Sequence, residues 1–296
     1  MTAETTAADG QYAEGIALFE GGEFQAAREL AERGLAGQPT DVNLLRLAGK
    51  SGSELDLPDA AEYLSKAVEL EPGNAEAWRE LGDAFLNDGR MKDATAAFRQ
   101  AVELRPNDVG SLVQLAHAAY AAGDPEDAIG AIRQAVERDP NSLGARRALL
   151  EIYRAAKRPD DALAAAEELA ESDPNDALAA LDVAELYLTL DHPVDASSAF
   201  ARLRKIDDDP EHEIYAIHGM IEAEIRRERW RRALDLAIEA TRIDRLGRTT
   251  DVLAYVVAQV FGPADRPAPT REEVDEGLAA SRAEHRRLHE EESLVF

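Results

Sequence analysis

The sequence predicts an all-α fold, an array of helix-turn-helix repeats, and three observations carry that reading. Prolines recur at Pro39, Pro72, Pro106, Pro140 and Pro174, with spacings of 33, 34, 34 and 34 residues. Alanines Ala27, Ala60, Ala94, Ala128, Ala162 and Ala196 keep the same rhythm, and Ala233 follows after 37 residues. Hydrophobic residues make up 45% of the 296 positions, enough for a core, and between the prolines they recur at helical spacing. A fixed period in this range marks a stack of supersecondary units.

The segment Ala75–Pro106 shows one unit most completely. Trp78, Leu81, Gly82 and Phe85 place bulk on one face of a first helix, with a glycine where a second helix must come close. Gly89 punctuates the turn, and Ala94, Phe98 and Ala101 pattern the second helix. Pro106 stops that helix, and Asn107-Asp108 supplies the cap for the next one. At these positions the unit resembles the tetratricopeptide repeat family. The resemblance implies a right-handed superhelical solenoid whose concave face, lined by the first helix of each repeat, binds partners.

Seven units follow from this register, at 8–40, 41–74, 75–108, 109–142, 143–176, 177–210 and 214–247, after a flexible N-terminus at 1–7. The seventh is the most degenerate and keeps mainly Ile217, Ile221, Ala233, Ala237 and Ala240. Beyond it, 248–261 is an apolar capping helix, and 262–270 is a proline-rich linker. Thr270-Arg-Glu-Glu273 reads as a capping box. It opens a charged C-terminal helix within 271–296, which ends on an apolar Leu294-Val-Phe296 tail.

Composition excludes several function classes. Thirty-three Lys+Arg against 59 Asp+Glu give a net charge of −26, which disfavours nucleic-acid and anionic-membrane partners. There is no cysteine, so disulfides, thiolate metal sites and cysteine nucleophiles are absent together. No apolar run is long enough for membrane insertion, and the first residues carry neither the basic nor the apolar part of a secretory signal. A cytoplasmic location is the expectation. Only five of the basic residues are lysines. That skew suits hydration in strong salt and equally a GC-rich genome.

At the groove-facing offsets stand Tyr12, Ile16 and Phe19, then Leu45 and Arg46, then Arg79, Asp83 and Asn87. The following repeats give Val113, Gln114, His117 and Tyr120, then Arg147, Glu151 and Arg154. The last two give Leu178, Leu181, Glu185 and Leu188, then Tyr215, His218 and Glu222. The lysine-and-asparagine clamp with which some family members hold a partner's C-terminal carboxylate is missing from these offsets. The expected occupant is therefore an amphipathic helix or apolar peptide. His117 and His218 would lend such binding a pH dependence.

Outside the groove, Arg226, Arg227, Arg229, Trp230, Arg231 and Arg232 form a dense basic run that suits an acidic partner or a phosphate, with Trp230 as a stacking surface. Its alternative is a solvated turn with the arginines paired to nearby carboxylates. His285 and His289 share a helix face but lack the glutamate of a zinc-protease motif, so no metal is expected. Gly49-Lys50-Ser51 lacks the preceding glycine and strand of a phosphate loop. No catalytic constellation and no cofactor motif is found, so the sequence reads as a non-enzymatic interaction scaffold or adaptor. A self-assembling array using the C-terminal helix is the alternative, and an enzyme or enzyme subunit the remote one.

Overall fold

The computed structural model describes residues 3–206, 210–243, 249–261 and 270–274. Fifteen helices are bounded among them. They are α1 (Ala3–Glu20), α2 (Phe24–Gly37), α3 (Val42–Glu54), α4 (Ala60–Leu70) and α5 (Ala75–Asn87). Next come α6 (Met91–Leu104), α7 (Val109–Ala121), α8 (Pro125–Arg138), α9 (Leu143–Ala155) and α10 (Pro159–Ser172). The last five are α11 (Ala177–Thr189), α12 (Pro193–Ile206), α13 (Pro210–Arg226), α14 (Trp230–Ile243) and α15 (Thr250–Phe261). The fold is an all-α repeat solenoid. It divides into two units, residues 1–152 and 153–296.

Local chemistry sets the helix ends. Asp41, Asn74, Asp108 and Asp176 each accept a backbone N–H from the first turn of the helix that follows, at 3.0 to 3.2 Å. Ser142 does the same through its hydroxyl at 3.3 Å. Each cap stands two residues after one of the periodic prolines, so stop and start signals share one turn. The other turn, inside each helix pair, needs one left-handed residue. Gly22, Gly89 and Gly123 supply it at no steric cost, while Asp56, Lys157, Asp191 and Glu228 adopt it at φ between 53° and 58°.

The periodic alanines Ala27, Ala60, Ala94, Ala128, Ala162, Ala196 and Ala233 are all buried, none more than 4% exposed. Their small side chains let each second helix approach its first. Larger groups fill the space one turn on: Leu64, Phe98, Ile132 and Phe200 are fully buried, 34 residues apart except where Ala166 stands.

Gly82 faces Phe98 so closely that a Cβ there would lie 2.7 Å from the ring, and at Gly219 it would lie 2.3 Å from Phe200. Gly82→Ala is therefore expected to destabilise by about 1–2 kcal/mol, overpacking outweighing alanine's better helix propensity. Phe98→Leu in the same chain should recover part of that loss in urea melts. A stabilised single variant would mean that the ring moves aside freely.

At the end of the second unit, α15 packs against α14 and buries Val252, Tyr255 and Val256. The capping box is present. The Thr270 backbone N–H and hydroxyl donate to Glu273 Oε2 at 2.7 and 2.9 Å, and the Glu273 N–H donates to the Thr270 hydroxyl at 3.2 Å. These bonds hold the Glu273 carboxyl below its ordinary value. Val274, 1% exposed, joins the core of the second unit, so the first turn after the box docks on the repeats. His285, His289 and the Leu294–Phe296 tail lie outside the described residues.

Candidate functional site

In the first unit, α1, α3 and α5 lie side by side and turn part of each surface away from the second helices. Phe19, Lys50, Ser53, Glu54, Arg79, Glu80 and Asp83 from these three helices line a pocket of about 200 Å³. Its floor is ionic. Arg46 Nε and Nη2 donate to the two oxygens of Glu80 at 2.7 and 2.8 Å, and Lys50 Nζ stands 3.5 Å from the same carboxylate. Only 2% of the Glu80 side chain is exposed. Above it, Lys50 Nζ sits 4.8 Å from the centre of the Phe19 ring, a cation–π arrangement at the mouth. Asn87 Nδ2 donates to the Ser53 carbonyl at 3.4 Å and ties α5 to α3 a second time.

Arg79 divides its guanidinium between two carboxylates of its own helix, Glu76 at 2.6 Å and Asp83 at 3.2 Å. Their environments drive them apart. The hydrogen bond from Arg79 pulls Glu76 below its ordinary value. Burial pushes Asp83 up to about 6 against the opposing pull of Arg79, with Glu80 and Glu76 adding repulsion.

For a carboxylate raised in the folded state, ionisation works against folding. The penalty is full above pH 6 and is relieved as pH falls towards 3.8. Because the Asp83 side chain is 38% exposed, solvent screens much of this. Asp83→Asn should then stabilise by only about 1 kcal/mol at neutral pH, and the gain should vanish near pH 4. Urea melts at the two pH values check this. An equal gain at both would remove ionisation as its cause.

The second unit carries a comparable ladder. Arg154, in the last turn of α9, bridges Asp182 and Glu185 of α11, the latter at 2.9 Å, and Glu185 accepts the Tyr215 hydroxyl of α13. Arg226 Nη2 donates to Glu222 at 2.6 Å, and its Nη1 donates to the Leu188 carbonyl at 2.5 Å.

The groove residues expected from sequence separate into two groups. Tyr12, Ile16, Phe19, Arg79, Asp83, Val113, Arg147, Arg154, Leu178 and Glu185 are half-buried, and Asn87, His117, Tyr120 and Glu151 are exposed. Leu45, Leu181, Leu188, Tyr215, His218 and Glu222 are corrected to buried residues, none more than 3% exposed. Large apolar side chains at these offsets close onto the neighbouring helix. His218 bonds Thr249 Oγ1 at 2.9 Å inside that core, so His117 alone of the two histidines meets solvent. Three of the four leucines expected to make the face apolar, Leu45, Leu181 and Leu188, are thus buried by the fold, and α3 and α5 expose charge instead.

Lys50, Ser53, Glu54 and Glu80 were missed by offset counting. The available signal was opposite charge one repeat apart, as at Arg46 and Glu80, 34 residues from each other. Among the described residues no group of three His, Asp or Glu side chains is arranged to hold a metal, and no helix is long and apolar enough to cross a membrane.

Two sequence models of the tetratricopeptide repeat match the chain, one at residues 54–109 and 113–177, the other at 153–221, together more than half of it. Its backbone is similar to the crystal structure of MamA, with 25% identity, 60% of this chain and 96% of that one covered, and a TM-score of 0.52. A tetratricopeptide repeat protein from Parabacteroides merdae is similar over 83% of this chain and 96% of its own, at 13% identity and a TM-score of 0.54. YrrB, described as a TPR protein with an unusual peptide-binding site, is similar over 60% of this chain and 93% of its own, at 20% identity and a TM-score of 0.50. No curated protein matches the sequence.

Proposed function

The chain belongs to the tetratricopeptide repeat family, whose members are generally non-enzymatic interaction scaffolds, and from that premise we propose that the α1–α3–α5 face holds a peptide or amphipathic helix of a partner protein. The observation that supports this reading is the pocket beside Phe19, where an aromatic ring, two cations and three carboxylates from successive repeats are presented together. Such a surface suits a segment with one apolar side chain against Phe19 and alternating charge beside it. Most of the ionic floor is already satisfied internally, so the partner gains mainly from Phe19, Lys50 and Asp83. The bound segment is expected to add order rather than to undergo chemistry, since no nucleophile–base pair lies in the pocket. Self-association through the C-terminal helix is the rival reading.

Selection from a random peptide library on the full chain tests the proposal. Peptides so obtained should bind a Lys50→Gln, Asp83→Asn variant about tenfold more weakly, a loss in keeping with two charge-assisted contacts. Undiminished binding would move the site off this face. A mass that rises with concentration, with no peptide recovered, would favour self-assembly.

A further inference from the structure

The basic run Arg226–Arg232 is sorted by the fold into two sets. Arg226 is consumed by Glu222 and the Leu188 carbonyl, and Arg227 by Glu224 at 2.8 Å. Trp230 is half-buried, packs into the core of the second unit and meets Tyr255 edge-on at 6.1 Å, so it is not the open stacking surface expected from sequence. These contacts fix the turn between α13 and α14. The other three arginines, Arg229, Arg231 and Arg232, are exposed, and their side chains make no hydrogen bond or ion pair among the described residues.

In a chain with 59 acidic residues against 33 basic ones, three neighbouring cations that pair with no carboxylate among the described residues are unexpected. Their place makes them costlier still. Arg231 and Arg232 occupy the first turn of α14, which holds no acidic residue, and the positive end of a helix favours anions and disfavours cations. Intramolecular stability alone gives no reason for this arrangement. An anion supplied from outside would reverse the sign of each of these terms.

We propose that the α13–α14 turn docks an acidic segment of a partner protein, a run of adjacent aspartates or glutamates, through Arg229, Arg231 and Arg232. A net charge of −26 selects a short acidic stretch over a nucleic acid. Repulsion from the rest of the surface is screened beyond roughly 8–10 Å at physiological salt, so a segment confined to the turn sees mainly the arginines. A long polyanion meets the acidic surface along its whole length. This surface uses none of the residues of the α1–α3–α5 face, and the proposal stands without that reading.

The test is fluorescence anisotropy on the full chain with a labelled peptide centred on four consecutive glutamates, and with its glutamine counterpart. Wild type is expected to bind the glutamate peptide about tenfold more tightly than an Arg229→Gln, Arg231→Gln, Arg232→Gln variant does. Raising KCl from about 0.05 M to about 0.3 M should erase most of that difference. The matching lysine variant keeps the charge and should stay within about threefold of wild type, since single exposed contacts are worth little. The glutamine variant should melt no lower than wild type, because it removes like charges from the positive end of a helix. Equal binding of both peptides, or undiminished binding by the glutamine variant, overturns the proposal. So does tighter binding of a single-stranded oligonucleotide than of the glutamate peptide. A Lys50→Gln, Asp83→Asn variant should bind the glutamate peptide as wild type does, which separates this surface from the first-helix face.

Discussion

Glu80→Ala is expected to destabilise the first unit by about 3–5 kcal/mol. The Glu80 carboxylate is 2% exposed and both of its oxygens are engaged, one by Arg46 Nε and the other by Arg46 Nη2 and Lys50. Truncation leaves Arg46, whose side chain is only 13% exposed, as a guanidinium with its partner removed. Lys50 is 29% exposed and can turn to water, so most of the cost falls on Arg46. A buried pair is weak evidence of net stabilisation, and the double replacement Arg46→Met, Glu80→Leu should fall within about 1 kcal/mol of wild type.

Because stability in a stacked array is local, the Glu80→Ala effect is best read by hydrogen exchange across α3 and α5 as well as by denaturant midpoints. Loss of protection confined to those helices and their partners is the expected pattern. A cost below about 1 kcal/mol would mean that water screens the pair, and the pocket floor would then not be rigid.

The period made the fold legible because each repeat uses the same few residue types for the same physical purpose. Prolines followed two residues later by Asp, Asn or Ser announced the turn between repeats, and the alanines announced the close approach within each pair. The turn inside the pairs was only partly readable. A glycine advertises a left-handed residue at positions 22, 89 and 123, and aspartate tolerates it at Asp56 and Asp191, but nothing in the chemistry of Lys157 or Glu228 asks for that conformation. There the packing of the two helices imposes it, at roughly 1–2 kcal/mol per residue.

The candidate site was less legible for a geometric reason. A first helix packs on its own second helix, on the second helix of the repeat before it and on neighbouring first helices, and only what remains faces a partner. One residue of error in register turns a side chain by about 100°, from the pocket into a neighbour. The seven-residue basic run shows a related limit. Its composition is plain in the sequence, but only the fold separates Arg226 and Arg227, held by Glu222 and Glu224, from the three arginines left outside.

Leu181→Glu is expected to cost more than about 4 kcal/mol and to unfold much of the second unit, whereas Tyr120→Glu should stay within about 0.5 kcal/mol of wild type. Both positions were expected to line one groove, yet Leu181 is 0% exposed and Tyr120 is 37% exposed. For Leu181 the reason lies in its repeat position read along the chain, a position that Tyr120 does not share. Leu45, Arg79, Val113, Arg147, Leu181 and Tyr215 are each 34 residues apart. Leu45, Leu181 and Tyr215 are buried at that position, and Arg79, Val113 and Arg147 are half-buried.

This position is therefore a boundary at which the side chain decides its own exposure. A leucine or tyrosine folds down onto the adjacent helix, while an arginine lays its stem there and carries its charge out to the face. Leu181→Arg should accordingly be milder than Leu181→Glu, at about 2 kcal/mol, because its stem can reach the surface and a glutamate's cannot. Denaturant midpoints of the three variants would order them Tyr120→Glu, Leu181→Arg, Leu181→Glu. Equal losses from Leu181→Arg and Leu181→Glu would mean that the position is core outright. The half-burial of Arg79 and Arg147 would then belong to their own neighbours rather than to a property shared by every repeat.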